Sequence, residues 1–234
     1  MKGYIYSKQD SLFGQREIVG FGEDDFFVQE IDRSLANDII IKNHYSKKYY
    51  NATYIHLGVY VDSEIVGVLQ YGYAMNPASQ SSVVENTKID EYLELNRMWI
   101  DDSAGRNSES RSIGYSVKYI KRRFPKIKWI QSFADQRCGM FGIVYQAANF
   151  KYYGEHDSIF WELDGITYHN SIKTSEVAGP VGYKLLNDPK NKDRVHRSKL
   201  RQFRYIYFID RRCIADCLLE EKPYIKYYDE EVVS

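Results

Sequence analysis

The chain has 234 residues and a mass of 27.5 kDa, the size of one ordinary domain or of one domain with an extension. Apolar residues make up 44% and charged residues 27%, so the chain can bury a core, and general disorder is excluded. The 32 Lys and Arg balance the 32 Asp and Glu, which excludes a uniformly basic nucleic-acid coat but not a local basic surface.

The cysteines and the N-terminus indicate the compartment. An odd count of three cysteines without a Cys-x-x-Cys pair argues against a disulfide framework and against a zinc knuckle. The first ten residues lack the apolar stretch of a signal peptide, and the longest apolar-rich stretch, residues 65–75, is too short to span a membrane. We therefore expect a soluble protein of a reducing cytosol.

The first half of the chain alternates strands with one helix. The patterns predict a strand at 26–31, a helix at 35–43, hairpin strands at 54–61 and 65–75, a polar loop at 76–90 and a strand at 92–100. The 22 Tyr residues fit half-buried strand positions, although they also suit surfaces that stack on a planar ligand.

The second half adds two helices and the closing strands. A turn at 105–108 leads into a helix that Pro125 ends, followed by a strand at 127–134, a helix at 139–148, strands at 150–153 and 158–163, and a last strand at 205–209. Residues 164–203 are polar and weakly periodic. The order predicts an α/β (α+β) fold, with a mixed, mostly antiparallel sheet and helices on both faces.

The same patterns divide the chain. We expect an N-terminal extension at 1–25, a catalytic core at 26–163, a basic segment with the closing strand of the same domain at 164–212, and a C-terminal tail at 213–234.

The turn from Gly105 to Ser112 is a candidate anion site. A helix N-terminus presents unpaired N–H groups and the positive end of the helix dipole. Additional donors come from Arg106, Ser108, Ser110 and Arg111. An ordinary helix cap is the alternative.

Three further positions carry reactive groups. Asp135 follows an apolar strand, where α/β folds place ligand groups, or it caps a helix. His44 and Tyr45 can act as acid, base or metal ligand, or they form a polar helix end. Arg97 lies on a strand, where a buried guanidinium must either bind an anionic ligand or close an internal ion pair.

The segment 184–212 is basic. It holds ten Lys or Arg and three Asp or Glu, a local charge of +7, with Phe203, Tyr205 and Tyr207 between the cations. This composition suits phosphate contacts and base stacking, and it equally suits a solvated surface. The candidate DNA contacts are Arg194, Arg197, Lys199, Arg201 and Arg204.

Several of these motifs, in order, resemble known families. The strand order and the pattern Gly142-x-x-Tyr145-x-x-Ala148-Asn149-Phe150 resemble the GNAT acyltransferase fold. A more specific resemblance, over roughly residues 30–210, is to the Mom family of phage DNA-modification proteins. It is carried by residues 44–46, 95–99, 108–112, 132–135, 142–150 and the late strand 205–209.

The resemblance implies a reaction on DNA. The Mom family adds a carbamoylmethyl group to the exocyclic N6 of adenine, and the modified sites resist host restriction enzymes. The implied partners are double-stranded DNA with a flipped-out adenine and a small-molecule donor, either acyl-CoA or another glycine-derived molecule. The stretch from Gly105 to Arg111 lacks the spaced glycines with which GNAT proteins wrap the pyrophosphate of CoA. An iron ion is also implied, with His44, Tyr45 and Asp135 at the matching positions.

The resemblance assigns roles to the candidate residues. Asp135 orients or deprotonates N6, Arg97 and Ser110 hold the donor, and Tyr45 with His44 contributes to the reacting site. The predicted donor-binding residues are Arg106, Ser108, Ser110, Arg111, Tyr145 and Asn149, with Tyr71 and Tyr145 as pocket walls. We expect the protein in the host cytoplasm. The competing functions are a general GNAT acyltransferase for a small amine or protein, and a nucleic-acid-binding module without enzymatic activity.

Overall fold

The computed structural model describes residues 2–10, 16–138 and 141–226. The described strands are β1 (Gly3–Asp10), β2 (Arg16–Gly22), β3 (Phe26–Glu30), β4 (Thr53–Val61), β5 (Glu64–Gly72), β6 (Tyr92–Ile100), β7 (Trp129–Asp135), β8 (Lys151–Leu163), β9 (Ile166–His169) and β10 (His196–Phe208). The α-helices are α1 (Arg33–Asn43), α2 (Ser108–Arg123), α3 (Ile143–Ala147), α4 (Asn170–Thr174) and α5 (Pro180–Asn187).

The described strands form one mixed sheet in the order β1-β2-β3-β4-β5-β6-β7-β10-β8-β9. The neighbours from β1 to β6 are antiparallel, whereas β6 and β7 run parallel, with Leu93 opposite Ile130 and Glu94 opposite Gln131. Two parallel strands need a crossover connection, and α2 provides it. The predicted fold class, mixed and mostly antiparallel with flanking helices, is confirmed.

Two consecutive residues of β5 show helices on both faces of the sheet. Gln70 donates to the Asn37 side chain of α1, whereas the hydroxyl of the next residue, Tyr71, bonds to Ser116 of α2. Successive strand side chains point to opposite faces, so α1 and α2 cover opposite sides of β5.

Most predicted elements are present, with some boundaries moved. Residues of the predicted extension form β1 and β2, and the two short strands predicted at 150–153 and 158–163 are one strand, β8. The predicted helix 139–148 is found as the shorter α3, and residues 139–140 lie outside the described residues. The polar region 164–203 contains β9, α4 and α5, and β10 begins at His196 instead of Tyr205.

The chain divides into two compact units, and β7, β8 and β10 contribute residues to both. Of the described residues, the first unit takes 2–10, 16–132, 143–153 and 205–224, and the second takes 133–138, 141–142, 154–204 and 225–226. The predicted division into four segments stays a prediction.

The first unit has its core beside β6 and β7. Tyr92 stacks on Trp129 with ring centroids 4.9 Å apart, and both side chains are fully buried. Residues of the predicted tail complete this core, because Cys213 is buried there and Leu219 packs against it. The backbone N–H of Leu218 also donates to the carbonyl of Val83, so the segment from 213 onward begins as part of the unit.

Residue spacing explains the two long helices. Ala36 and Ile40 of α1 lie one turn apart and pack on Val68 of β5. In α2, Ser112 and Ser116 are fully buried, and each hydroxyl donates to a carbonyl of its own helix. Small side chains with internal hydrogen bonds let a helix lie close to a sheet without unpaired polar groups. The helix ends before Pro125, as predicted.

The second unit has a smaller core. Leu163, Tyr168 and Leu186 are buried together, with Trp161 and Ile172 packed against them. Within the described part of the chain, none of the helices is both long and apolar enough to cross a bilayer.

Candidate functional site

His44 lies at the end of α1 and is held in one orientation. Its ring is 6% exposed, and its Nδ1 atom accepts a hydrogen bond from the Ser46 backbone N–H (3.1 Å) and lies 2.8 Å from the Ser46 hydroxyl. An acceptor at Nδ1 places the proton of a neutral imidazole on Nε2. The ring of Tyr45 packs on it with centroids 4.2 Å apart and is itself 47% exposed. The two predicted residues therefore form one rigid imidazole–phenol pair.

Arg97 of β6 is bound to the same segment. Its Nε donates to the carbonyl of Lys48 at 3.1 Å, and the Ser46 hydroxyl donates to that same carbonyl. The guanidinium also donates to the Asn96 carbonyl and lies 5.9 Å from the ring centroid of Tyr50. Three residues predicted from two separate motifs, His44 and Tyr45 from one and Arg97 from the other, are thus brought together.

Lys48 and Arg97 form a half-buried pair of cations. Burial lowers the pKa of Lys48 to about 8, and the nearby Arg97 charge acts in the same direction. Two like charges in a partly desolvated place attract an anion, since an anion would relieve their repulsion. The segment from His44 to Tyr50 with Arg97, which we call the cation site, can bind the negatively charged part of a ligand.

Glu94 lies beside this site on β6. One carboxylate oxygen accepts from Gln131 at 2.9 Å and the other from Asn96 at 3.0 Å. Burial raises the pKa of Tyr50 to about 12, and the Glu94 charge raises it too. Tyr50 therefore stays a neutral phenol, a hydrogen-bond donor, at neutral pH.

Most side chains in the first turn of α2 are bonded to other groups of the protein. The Ser108 hydroxyl is buried and donates to the carbonyls of Ala104 and Gly105, and Arg111 pairs with Glu23 and lies 4.2 Å from the Phe26 ring centroid. These contacts explain Ser108 and Arg111 without a ligand, and Arg106 is exposed. Ser110 is half-buried and donates to the carbonyl of Asn107. The donor pocket predicted here stays a prediction.

The predicted pocket walls lie in the first unit. The Tyr71 hydroxyl is fully buried against Ser116, and burial raises its pKa. Tyr145 of α3 packs on Phe150 and Tyr205, with its ring 5.4 Å from that of Tyr205. Asn149 is exposed with φ +64°, the left-handed conformation that ends a helix, which accounts for it structurally.

In the second unit, Asp135 ends β7 and is 5% exposed. Its Oδ1 accepts from the backbone N–H and the Nε of Arg137, both at 2.9 Å, and its Oδ2 accepts from the second guanidinium arm. Burial alone would raise the pKa of Asp135, but the hydrogen bonds from Arg137 lower it below its usual value. The side chain is therefore an ionised carboxylate with a fixed orientation.

The predicted DNA contacts differ in their surroundings. Lys199 pairs with Asp157 at 2.6 Å, Arg201 with Glu155 at 3.7 Å, and Arg194 with Asp164. Arg204 instead lies over the ring of Phe133 at 4.8 Å, and Arg197 is exposed. The cations of this segment are therefore partly neutralised by acids that are distant in sequence.

Two of the implied iron ligands, His44 and Asp135, are held by contacts of their own. Among the described residues, no group of three or more His, Cys, Asp and Glu side chains could hold a metal ion. Nδ1 of His44 is bonded to Ser46, and an ion at Asp135 would compete with the Arg137 guanidinium. No step below passes through a metal, and the ligand assignment stays a prediction.

Sequence reasoning missed several residues of these sites. Lys48 and Tyr50 stand in a stretch that looks like an ordinary exposed loop, and no sequence signal marks them. Gln131 lies within an apolar strand, and its role follows only from its register opposite Glu94.

Comparisons with known proteins define the class first. The structure is similar to Arabidopsis thaliana NAA60 in complex with acetyl-CoA, with a TM-score of 0.50 at 10% identity over 79% of this chain and 99% of that one. A ribosomal-protein-S5-alanine acetyltransferase from Vibrio fischeri gives 0.48 at 11% identity, over 82% of this chain and 98% of that one. The fold is that of the GNAT acetyltransferases.

The sequence then defines the family. The model of the Mom protein family matches residues 25–226. The chain is also 44% identical over 232 residues to the methylcarbamoylase Mom of Escherichia phage Mu, covering 96% of this chain and 94% of that protein. The chain belongs to the Mom protein family.

Proposed function

We propose that this chain is a DNA-modifying transferase that adds a carbamoylmethyl group to N6 of adenine. The observation that carries the proposal is the 44% identity to a methylcarbamoylase over nearly the full length of both proteins. The acetyltransferase fold supports a group transfer to an amine.

The reaction needs three contributions from the protein. The N6 lone pair of adenine is delocalised into the ring, so the amine must be positioned for attack. As N6 bonds to the methylene carbon of the carbamoylmethyl group, the bond from that carbon to the rest of the donor breaks. A proton also leaves N6, and the negative charge on the departing part of the donor must be stabilised.

The cation site supplies the charge stabilisation. Arg97 and Lys48 are both half-buried and near each other, so they suit a carboxylate or phosphate of the donor. An acyl-CoA and another glycine-derived conjugate both carry such an anion. Attack on the carbonyl carbon of an acyl-CoA would form an N6 amide, so the step above needs a donor whose leaving group is attached to the methylene carbon. The exposed phenol of Tyr45, backed by His44, lies on the same segment and can donate a hydrogen bond to the transferring group.

Asp135 suits the amine better as a positioning group than as a strong base. Its pKa is lowered by Arg137, so it remains ionised and accepts hydrogen bonds at neutral pH. A carboxylate in this state orients the N6 amine and makes its lone pair more available. It takes the proton only if binding of the substrate weakens its hydrogen bonds with Arg137.

The biological setting follows from the family. The substrate is double-stranded phage DNA, with the target adenine extruded because its N6 is paired inside the duplex. Modified sites escape restriction enzymes, so the protein acts in the host cytoplasm. Ser110 and the basic segment keep their proposed roles with the donor and with the DNA backbone.

Expression together with a plasmid tests the proposal. Plasmid DNA digested to nucleosides is expected to contain a new adenosine species when the chain is present and none with an empty vector. A general acyltransferase would instead turn over acetyl-CoA without DNA. A binding module would retain all of its activity when Arg97, Ser110 and Asp135 are replaced.

A further inference from the structure

Two clusters of the same composition occur in the second unit. Phe133 meets His156 edge to face at 5.4 Å, and the Cζ of Arg204 lies 4.8 Å from its ring centroid. Phe160 meets His169 edge to face at 5.7 Å, and the Cζ of Arg137 lies 4.9 Å from its ring centroid. We call these six residues the Phe–His–Arg surface.

The apolar core of this unit is built by the neighbouring positions of the same strands. Tyr168, the residue before His169, is buried with Leu163, and Phe203, the residue before Arg204, is buried against Phe141. Adjacent strand residues point to opposite faces, so core packing does not explain the two Phe rings. His156 is exposed, and the other rings of the surface are half-buried, so part of each ring is open to a ligand.

The surface combines flat rings with fixed positive charge. Arg137 is held in its plane by Asp135 and by a 2.8 Å hydrogen bond to Thr167, so its guanidinium is pre-oriented over Phe160. Burial lowers the pKa of His156 and of His169, which keeps both imidazoles neutral. Neutral aromatic rings and guanidinium planes both stack on nucleobases, while the guanidinium charge attracts phosphate.

We propose that the Phe–His–Arg surface binds unpaired bases of the DNA substrate by stacking. The inference rests on the proposed action on DNA and adds to it a binding mode for the strand next to the extruded adenine. The Arg204 guanidinium over the Phe133 ring favours a ligand that carries phosphate, while the Arg137 guanidinium, paired with Asp135, adds a planar group beside Phe160. The fixed carboxylate of Asp135 accepts from Arg137, so it lies beside the surface, within reach of a base bound there.

The position of Arg204 separates this surface from the other candidate DNA contacts. Lys199 and Arg201 have odd numbers on β10 and pair with the odd-numbered Asp157 and Glu155 of β8. Arg204 has an even number on β10, and it contacts the Phe133 ring together with His156, which has an even number on β8. Stacking and charge pairing therefore occupy opposite faces of these strands.

Binding to a short single-stranded oligonucleotide tests the proposal, with an otherwise identical strand of abasic sugars for comparison. The wild-type protein is expected to prefer the strand with bases. Phe133→Leu and Phe160→Leu keep apolar volume without a π-face, so each should lose about tenfold in affinity, the scale of one base–aromatic stack, and weaken the preference. The dependence of affinity on salt should not change, because the same phosphates remain bound.

Three further variants complete the experiment. Phe133→Trp should retain binding, whereas Arg204→Lys keeps the charge, loses the planar group and should weaken the preference for bases. Phe27→Leu is the matched control, since Phe27 is a half-buried ring stacked on Tyr60 in the first unit. Thermal melting identifies a variant that fails to fold. If one of Phe133→Leu, Phe160→Leu and Arg204→Lys fails, the other two test the proposal.

The inference would be overturned if the folded variants bound with wild-type affinity, or if they lost affinity equally for both oligonucleotides. It would also be overturned if the wild-type protein bound neither strand. Nucleoside analysis of co-expressed plasmid separates this failure from that of the proposed function. Modified adenine with unaffected variants removes only the stacking surface. Base-dependent binding without modified adenine removes only the reaction.

Discussion

At the level of single residues, neighbours act on the charges of Lys48 and Asp135 in opposite ways. Lys48 is half-buried beside another cation, which disfavours its charged form, whereas Asp135 is bound by a guanidinium, which favours its charged form. Under the proposed function, Lys48 and Arg97 serve the donor, and Asp135 serves the adenine.

Replacing Lys48 by Met should stabilise the protein at pH 7. The folded-state pKa of about 8 lies below the ordinary value of 10.5, so between these values the unfolded chain binds more protons and stability rises with pH. The variant loses this pH dependence, and it should gain on the order of 1 kcal/mol at pH 7, allowing for the partial exposure of the amine. Denaturant unfolding at neutral and at alkaline pH measures both effects.

Lys47→Met, at the exposed neighbouring lysine, is the control and should leave the pH dependence as it is. If Lys48→Met destabilised the protein equally at both pH values, the Lys48 side chain would be acting through packing and not through its charge. Because the charge also serves the donor, we expect Lys48→Met to raise the KM for the donor.

Asp135→Asn should reduce adenine modification by about two to four orders of magnitude if the carboxylate takes the proton, and less if it only orients the amine. DNA binding should persist, because phosphate contacts come from other residues. Nucleoside mass spectrometry and a binding assay on the purified variant give the two readouts. Near-normal modification would show that Asp135 serves only as a cap for the residues after β7.

Replacing Arg137 tests whether the pKa of Asp135 controls the reaction. Arg137→Met should raise the pKa of Asp135, so at saturating DNA the loss of modification on the acid side should move to higher pH. The sign follows because the guanidinium is what holds the folded-state pKa down. An unchanged pH profile would remove Asp135 from the proton transfer.

At the level of elements, α2 carries two serines with different roles: Ser112 is structural, and Ser110 is a candidate ligand-binding residue. Ser112 is fully buried and bonds to Ser108 of its own helix, whereas Ser110 is half-buried near the helix start. We expect Ser110→Ala to lower modification with little change in melting temperature. Ser112→Ala should keep modification, because alanine fits the same space. Equal activity of both variants would place the donor away from α2.

Strand β10 allows the predicted DNA contacts to be tested in pairs. Neutralising Lys199 and Arg201 to Gln should change the salt dependence of DNA binding only slightly, because each has a carboxylate partner. Neutralising Arg197 and Arg204 should flatten it more, by about one unit of slope for each phosphate that the protein no longer neutralises. Titrations across a salt series compare the two double variants. A larger loss of salt dependence in the Lys199 and Arg201 variant would show that these two residues, and not Arg197 and Arg204, bind phosphate.

The elements that could be predicted are those whose signal lies within their own residues. The alternation of β6, the helical spacing of Ile113, Val117 and Ile120 in α2, and the stop at Pro125 depend on no distant contact. The strands β1 and β2 and the packed segment from Cys213 depend on partners elsewhere in the chain, so local patterns did not indicate them. The pairing of Lys48 with Arg97 was missed for the same reason, since the two residues are 49 positions apart.

At the level of the whole molecule, an acetyltransferase fold is adapted to a nucleic-acid substrate. The crossover of β6, α2 and β7 is present, but the turn before α2 carries serines and arginines in place of spaced glycines. The first unit contains the cation site. The second unit contains the Phe–His–Arg surface and the fixed carboxylate of Asp135. These features account for a transferase whose acceptor is a base in DNA.

The most direct measurement is the fragmentation of the modified nucleoside by tandem mass spectrometry, on DNA from cells that express the chain. We predict that one carbamoylmethyl group replaces one hydrogen on the exocyclic N6 of adenine, and that Arg97→Ala and Asp135→Ala strongly reduce its amount. Plasmid whose adenosine is unmodified despite abundant folded protein, or a group found on another base, would contradict the account.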